Sequence, residues 1–311
     1  MCPGPMDARD EIRRSLRKRV SFATSRGREP AGEGGEGGMR SAEPIVYPRD
    51  LPRRPSAPAP FVLGPHVKLD DALAALSADV REDGGAYIIE RRLELDGYAR
   101  SSTALAAAIA HPKAGLHPEL RRAGFDLDAV SPRPDDLLFL DLETTGLASC
   151  PVFLLGAMVW DAGGLVTRQY FARDYSREPA AVRAFLGLAA GRRVLVSFNG
   201  KSFDVPFIRA RAAANGIACR LNQPHVDLLH TARRTWGPRV GGPLPDCRLQ
   251  TLERVLCGRI RDDDIPGHLI PDAYHAFVHT GNAAQIAEII RHNFLDLVTM
   301  ADIVARLPAG G

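Results

Sequence analysis

The sequence predicts an α/β layer fold, and three observations carry that reading. Three apolar runs of strand length follow one another, at 136–143 (DLLFLDLE), 152–160 (VFLLGAMVW) and 165–171 (LVTRQYF). A helix, a buried strand and a second helix then alternate over 178–215. Strands that give way to helix–strand alternation define a sheet covered by helices. Composition agrees, because 45% of the 311 residues are hydrophobic and 25% charged, which excludes a fibrous or wholly disordered chain.

Taken in order, residues 1–20 include EIRRSLRKRV, compatible with one basic helix. Residues 21–60 are rich in Gly, Pro, Ser and Arg (GEGGEGG, PRRPSAPAP). Such a segment buries too little apolar surface to offset its ordering entropy, so 1–60 is expected as a disordered basic arm. Its first ten residues are polar, and no secretory signal peptide is expected. Residues 61–133 are expected as a small accessory region with a strand at 86–95 (AYIIERRLEL), an Ala-rich helix at 103–110 and no chemical motif. Pro132 and Pro134 mark a boundary, and 134–309 is the main domain.

Within that domain, Gly163-Gly164 predicts a hairpin between the second and third strands. Residues 178–190 read as a helix, 193–199 (RVLVSFN) as a buried strand, and 203–215 as a helix stopped by Asn215-Gly216. Further helices are expected at 228–236, 249–257 and 283–307. The last opens on a capping-box-like Asn282 and Gln285 and ends before Pro308. Its stripe of Ile286, Ile289, Ile290, Phe294, Leu297, Ala301 and Val304 faces a core.

Charge is unevenly distributed. Residues 192–261 hold 13 basic and 4 acidic residues, a balance that points to a polyanionic partner. An arginine-rich composition is the alternative, since only four lysines occur. Aromatics for base stacking are sparse, and Phe198, Phe203, Phe207 and Trp236 are expected in the core. The five cysteines contain no CxxC pair, so free thiols in a reducing cytoplasm are expected rather than disulfides or a zinc knuckle. No apolar run approaches the roughly 20 residues of a membrane span.

Three places carry chemistry. Asp141 and Glu143 stand two apart at a strand end, hence on one face, before Thr144-Thr145-Gly146. Paired carboxylates suit a hard divalent cation or, alternatively, cap the following turn. Asp204 follows the buried strand, where α/β sheets bind ligands, although an acid in a first helical turn also serves as a cap. His292 and Asp296 are spaced i, i+4 and share a helix face, which by itself is more often a surface contact.

In this order FLDLETTGL, FNGKSFDVPFI and HNFLD resemble the acidic signature of the ribonuclease H-like DEDD 3′–5′ exonuclease superfamily. LPDCRLQTLE, DDIPG and IPDAY resemble its YprB-like branch in particular, and the likeness covers roughly 136–307. One departure stands out. Proofreading-type members carry a histidine five positions before the last aspartate, and the other subgroup a tyrosine four before; here His292 has the four-residue spacing.

The resemblance implies a ribonuclease H-like fold, a mixed central sheet flanked by helices. It implies hydrolysis of phosphodiester bonds in single-stranded DNA or RNA by a two-metal-ion mechanism with Mg2+ or Mn2+. Asp141, Glu143, Asp204 and Asp296 would hold the ions, with Asp141 bridging them, and His292, titrating near neutrality, would be the general base. Thr144, Thr145, Gly146 and Leu147 would line the terminal-nucleotide pocket, with Asn199 and Lys201 also on the nucleic acid. A non-catalytic nucleic-acid-binding module on the same fold is the alternative.

Overall fold

The computed structural model describes residues 64–94, 98–111, 115–147, 150–242, 244–261 and 264–308. The basic helix and arm expected over 1–60 lie outside the described residues. Strands β1 (Asp79–Asp83), β2 (Ala86–Arg92), β3 (Leu137–Thr144), β4 (Val152–Asp161), β5 (Gly164–Phe171), β6 (Val194–Ser197) and β7 (His225–Asp227) form one sheet. Its order is β1-β2-β5-β4-β3-β6-β7. The expected antiparallel trio β3, β4 and β5 occupies the middle, and β6 and β7 continue it in parallel, so the sheet is mixed.

The apolar alternation of β3 explains its position. Leu138, Leu140 and Leu142 enter one apolar cluster, and Leu137 and Phe139 enter the other. A strand covered on both faces reads as a continuous apolar run, and this one does. Asp141 and Glu143 extend the Leu137–Phe139 series at its carboxyl end.

Helices α1 (Leu69–Ala74), α2 (Ala99–Ala110), α3 (Leu116–Arg122), α4 (Glu178–Ala189), α5 (Asp204–Ala214), α6 (Leu228–Thr235), α7 (Leu249–Leu252), α8 (Ile270–Thr280) and α9 (Ile286–Ala305) supply the covering layers. The first cluster buries Phe185 of α4, Ile208 of α5 and Tyr274 of α8; the second buries Leu105 of α2 and Leu297 of α9. None of the helices, among the described residues, is long and apolar enough to cross a membrane. Among the described residues, Cys150, Cys219, Cys247 and Cys257 form no disulfide.

Four expectations change. The strand in the expected accessory region pairs with β5, from Tyr87 opposite Phe171 to Arg92 opposite Val166, and so extends the main sheet. Pairing there removes an exposed edge from β5 and buries Ile88 and Ile89. Pro134 opens only a short 3-10 turn, Pro134–Asp136, before β3. The helix expected over 249–257 is α-helical only to Leu252, and a π turn, Glu253–Cys257, follows. Asn282 and Gln285 form no capping box: the Asn282 Oδ1 accepts from Val67 N (3.0 Å) and Ala284 N (3.1 Å), while its Nδ2 donates to Gly64 O (3.0 Å). That side chain ties the segment before α1 to the start of α9. Finally, α1, α3, α8, β1 and β7 had no counterpart in the sequence reading.

Candidate active site

β3, the turn into α5, and α9 deliver the acidic residues to one place. Asp141 and Glu143 leave the carboxyl end of β3, where the register with β4 shifts between Glu143 and Thr144. Such bulges re-aim side chains beside functional sites. Asp204 opens α5 and is 5% exposed. His292 and Asp296 come from α9, with His292 Nε2 3.6 Å from Asp296 Oδ2.

Electrostatics joins these residues into one cluster. Burial raises the Asp141 carboxyl well above the usual range, and the charges of Asp296, Glu143 and Asp204 push it further; a hydrogen bond from Asn293 opposes the rise. Burial lifts Glu143 to about 8 against the charge of His292. Among the described residues, no hydrogen bond holds the Glu143 carboxylate. Burial also lifts Asp204 to about 7, opposed by hydrogen bonds from its own amide and that of Leu142. Asp296 is raised by burial, opposed by Arg261 and His292. Crowded carboxylates repel one another, and each repulsion favours a proton or a cation.

A buried row across the sheet positions Asp141. Asp141 faces Gly156 of β4, and Gly156 faces Gln169 of β5. Asn293, fully buried on α9, drops into the gap above the glycine. Its Nδ2 donates to Asp141 Oδ2 (2.7 Å), and its Oδ1 accepts from Gln169 Nε2 (2.8 Å), which also donates to Ile290 O (2.8 Å). A Cβ on Gly156 would lie 2.2 Å from Asn293 Oδ1.

A second network holds the histidine. Asp264 Oδ1 lies 2.9 Å from His292 Nδ1, leaving Nε2 toward Asp296. Arg261, its side chain 5% exposed, donates to Glu253 Oε2 (2.6 Å), Asp264 Oδ2 (3.2 Å) and Asp296 Oδ1 (2.6 Å). Burial pulls the His292 pKa down, but the hydrogen bond to Asp264 and the charges of Asp296 and Glu143 outweigh it and carry it to about 9. That direction runs above the near-neutral titration expected of His292. The sequence contained DDIPG and HNFLD, but nothing in their spacing tied Asp264 to His292 or Asn293 to Asp141. The isolated glycine inside VFLLGAMVW was the one local signal, since glycine in a strand marks a close approach.

The donor chemistry fits a divalent cation, with four oxygen-only carboxylates in a buried, mutually repelling set. The cage is not closed, however. No three His, Cys, Asp or Glu side chains among the described residues converge closely enough to hold a metal ion. Asn293 holds one oxygen of Asp141, and Arg261 holds one of Asp296.

A cleft of about 900 Å3 opens beside the cluster and is lined by Asp141, Asp296, Phe198 and Asn199. Phe198 packs against the second apolar cluster, as expected, and also borders the cleft. Asn199 adopts a left-handed φ of +66°. The buried Asp227 carboxylate fixes that turn, accepting from Asn199 N (2.9 Å) and Lys201 N (3.1 Å) and capping α6 through Leu229 N (3.1 Å). The other residues expected at nucleic acid are not among the cleft lining. Thr144 Oγ1 donates to Gly146 O (2.7 Å) and Thr145 Oγ1 to Pro151 O (3.1 Å), so both hydroxyls are engaged within the turn. Leu147 is 72% exposed and the Lys201 side chain is exposed.

Fold and matched sequence define the class: residues 138–307 match the model of the RNase_H superfamily, and the chain belongs to that superfamily. Among individual proteins it is similar to the uncharacterized protein YprB of Bacillus subtilis (strain 168), 31% identical over 185 residues, which are 57% of this chain and 43% of YprB. The chain thus spans less than half the length of that relative. Among solved structures, the family B DNA polymerase of the hyperthermophilic archaeon Pyrobaculum calidifontis shares 17% identity and a TM-score of 0.46, over 57% of this chain and 25% of the polymerase chain.

Proposed function

We propose that this chain is a divalent-metal-dependent nuclease, a 3′–5′ exonuclease that hydrolyses phosphodiester bonds of single-stranded DNA or RNA. Membership of the RNase_H superfamily supports nuclease-type activity in general. The observation that carries the reading is the mutual charging of Asp141, Glu143, Asp204 and Asp296 beside an open cleft. Strongly perturbed titratable groups in a cleft mark functional sites, and a purely structural sheet end has no use for four repelling acids.

These carboxylates would hold Mg2+ or Mn2+, two ions in this reading. When bound, such ions stabilise charge on the phosphate and activate water. The chain's own groups do the rest. Asn293 fixes the Asp141 carboxylate, and Asp264 fixes the imidazole of His292 through Nδ1, so that Nε2 faces the cluster to take a proton from the attacking water. Two of the acids that keep the proton on His292, Asp296 and Glu143, belong to the proposed ligand set. Cations on those acids would offset their charge, so that His292 would give up its proton more readily and the neutral imidazole could serve as the base.

The hold of Arg261 on Asp296 favours a second reading, a non-catalytic nucleic-acid-binding module in which arginine permanently neutralises the site. One experiment separates the two. End-labelled single-stranded DNA and RNA are incubated with Mn2+, and polarity and product length are read. Stepwise shortening from the 3′ end supports the nuclease. Intact oligonucleotide at any Mn2+ concentration, with no Mn2+ uptake in a titration, refutes it.

A further inference from the structure

The basic surplus of residues 192–261 divides sharply in three dimensions. Seven of its thirteen cationic side chains bind carboxylates or carbonyls of the fold. Three of the remaining six, Arg233, Arg239 and Arg248, line the cleft beside Asp141 and Asp296. They come from the end of α6, a 3-10 turn (Pro238–Val240) and the lead-in to α7. All three are exposed. Arg233 and Arg239 have no carboxylate partner among the described residues, and Arg248 has only a loose one, Asp246, at 3.9 Å. Arg248 also lines an adjoining cleft of about 660 Å3 together with Arg254.

The wall is built rather than draped. Gly242 N donates to Gly237 O (3.0 Å) and Leu244 N to Trp236 O (3.2 Å). A Cβ on Gly242 would lie 2.3 Å from the Trp236 carbonyl carbon, so only glycine lets the loop close this tightly. The same wall carries Leu229, Leu249 and Phe198. Cationic forks that reach phosphates, set among apolar and aromatic surface that takes unstacked bases, suit a single strand; a duplex keeps its base faces hidden.

We infer that Arg233, Arg239 and Arg248 form the binding wall for a single-stranded polynucleotide, gripping successive backbone phosphates of the strand whose end enters the acidic site. This rests on the nuclease reading for the destination of the strand, but not for its binding. Neither the acidic motifs nor the residues expected at the terminal nucleotide include any of the three.

The test uses the full chain in EDTA, so that no hydrolysis intervenes. Fluorescein-labelled ten-nucleotide oligo-dT and oligo-U are titrated by anisotropy from 0.05 to 0.5 M salt. Each phosphate contact on a single strand contributes about 0.7 to the slope of log affinity against log salt, so the Arg233→Ala/Arg239→Ala/Arg248→Ala triple variant should lose about 2 from that slope. The same slope difference carried over a decade of salt is roughly 100-fold in affinity at the low end. Arg220→Ala, an exposed arginine outside the cleft lining, should change affinity less than about 2-fold. Circular dichroism and a thermal melt establish that each variant is folded. An unchanged slope in the folded triple variant overturns the wall, as does an equal loss in Arg220→Ala. Tighter, arginine-dependent binding of a duplex of the same length overturns the single-strand assignment. Mn2+-dependent hydrolysis is measured in parallel. Hydrolysis with an unchanged triple-variant affinity rejects the wall and keeps the nuclease; lost affinity without hydrolysis in the wild type keeps the wall and rejects the nuclease.

Discussion

Replacing Gly156 with alanine puts a methyl group where Asn293 now sits. The new Cβ would lie 2.2 Å from Asn293 Oδ1 and 2.8 Å from its Cγ, both in a fully buried side chain that has nowhere to retreat without leaving its partners. Displacing Asn293 breaks a bond to the Asp141 carboxylate and another from Gln169. A buried polar group left unpaired costs about 1–3 kcal/mol, more when charged, and removal of a strand glycine returns about 0.5–1 kcal/mol. The net expectation is a loss of about 3 kcal/mol. At about 2 cal/mol/K of unfolding entropy per residue, that is a fall of roughly 5 °C in Tm for a chain of 311 residues. The assay is urea unfolding followed by circular dichroism on the wild type, Gly156→Ala, Asn293→Ala and the double variant. Because the two residues compete for one volume, the double variant should resemble either single one, with a coupling of roughly 2 kcal/mol. A Gly156→Ala variant within about 0.5 kcal/mol of wild type would refute the close-approach argument, and so would strict additivity with Asn293→Ala.

Other outcomes follow from the same coordinates. His292→Ala should lower turnover about 10²–10⁴-fold and leave Mn2+ affinity largely intact by calorimetry, whereas Asp141→Ala should remove both. Full activity in His292→Ala would reduce that residue to packing. His225 is held neutral by burial, its pKa lowered to about 4, with Nε2 2.7 Å from Ser197 Oγ. The unfolded chain therefore binds the extra proton first, and stability is lost as pH falls from about 6.5 toward 4, by up to about 3 kcal/mol. In a pH series of urea melts His225→Gln should remove that increment, and parallel curves for the two proteins would refute it. The buried Glu178 carboxylate takes bonds from Arg211 (2.6 Å), Asn215 (3.1 Å) and Val152 N (2.8 Å). Glu178→Ala should cost about 3–5 kcal/mol in the same assay by removing the buried carboxylate that Arg211, Asn215 and the Val152 amide share, and a change below 1 kcal/mol would show that the pair is idle.

The legible parts of this chain were those written in periodicity. β3, β4 and β5 announced themselves as apolar runs, and their observed limits differ from the expected ones by a residue or so. The acids on β3 were also legible, because a strand carries i and i+2 on one face whatever packs against it. What stayed hidden depends on contacts across many residues. β2 belongs to the sheet only because β5 offers an edge about 80 positions away, and the proline-marked boundary between them concealed that. β7 is three residues long, too short for any alternation to register. Arg261 counted only toward the basic stretch and Asp264 only as part of DDIPG, yet they are the partners of Asp296 and His292 on α9. The basic surplus was visible as a count, but its separation into fold-binding and cleft-lining arginines exists only in space.

That separation bears on how one fold tolerates so many acids at α9. Asp141, Glu143, Asp204, Glu253, Asp264 and Asp296 all lie in or against the same buried region, and an unpaired buried carboxylate costs several kcal/mol. Two answers are built in. Burial lifts Glu143 to about 8 and Asp204 to about 7, which favours their uncharged form. Glu253, Asp264 and Asp296 instead share Arg261, whose planar fork reaches all three at once, a geometry that the single ammonium of lysine does not reproduce. Protonation and Arg261 thus offset the same charge that the cations of the proposed reading would offset. A cation that enters must displace protons from the first group and compete with a guanidinium for Asp296 in the second, so affinity and folding stability draw on the same carboxylates. The arginines of the cleft wall stand outside this exchange. Arg233 and Arg239 have no carboxylate partner among the described residues and Arg248 only the distant Asp246 (3.9 Å), so a polyanionic strand would supply the charge that the fold leaves open.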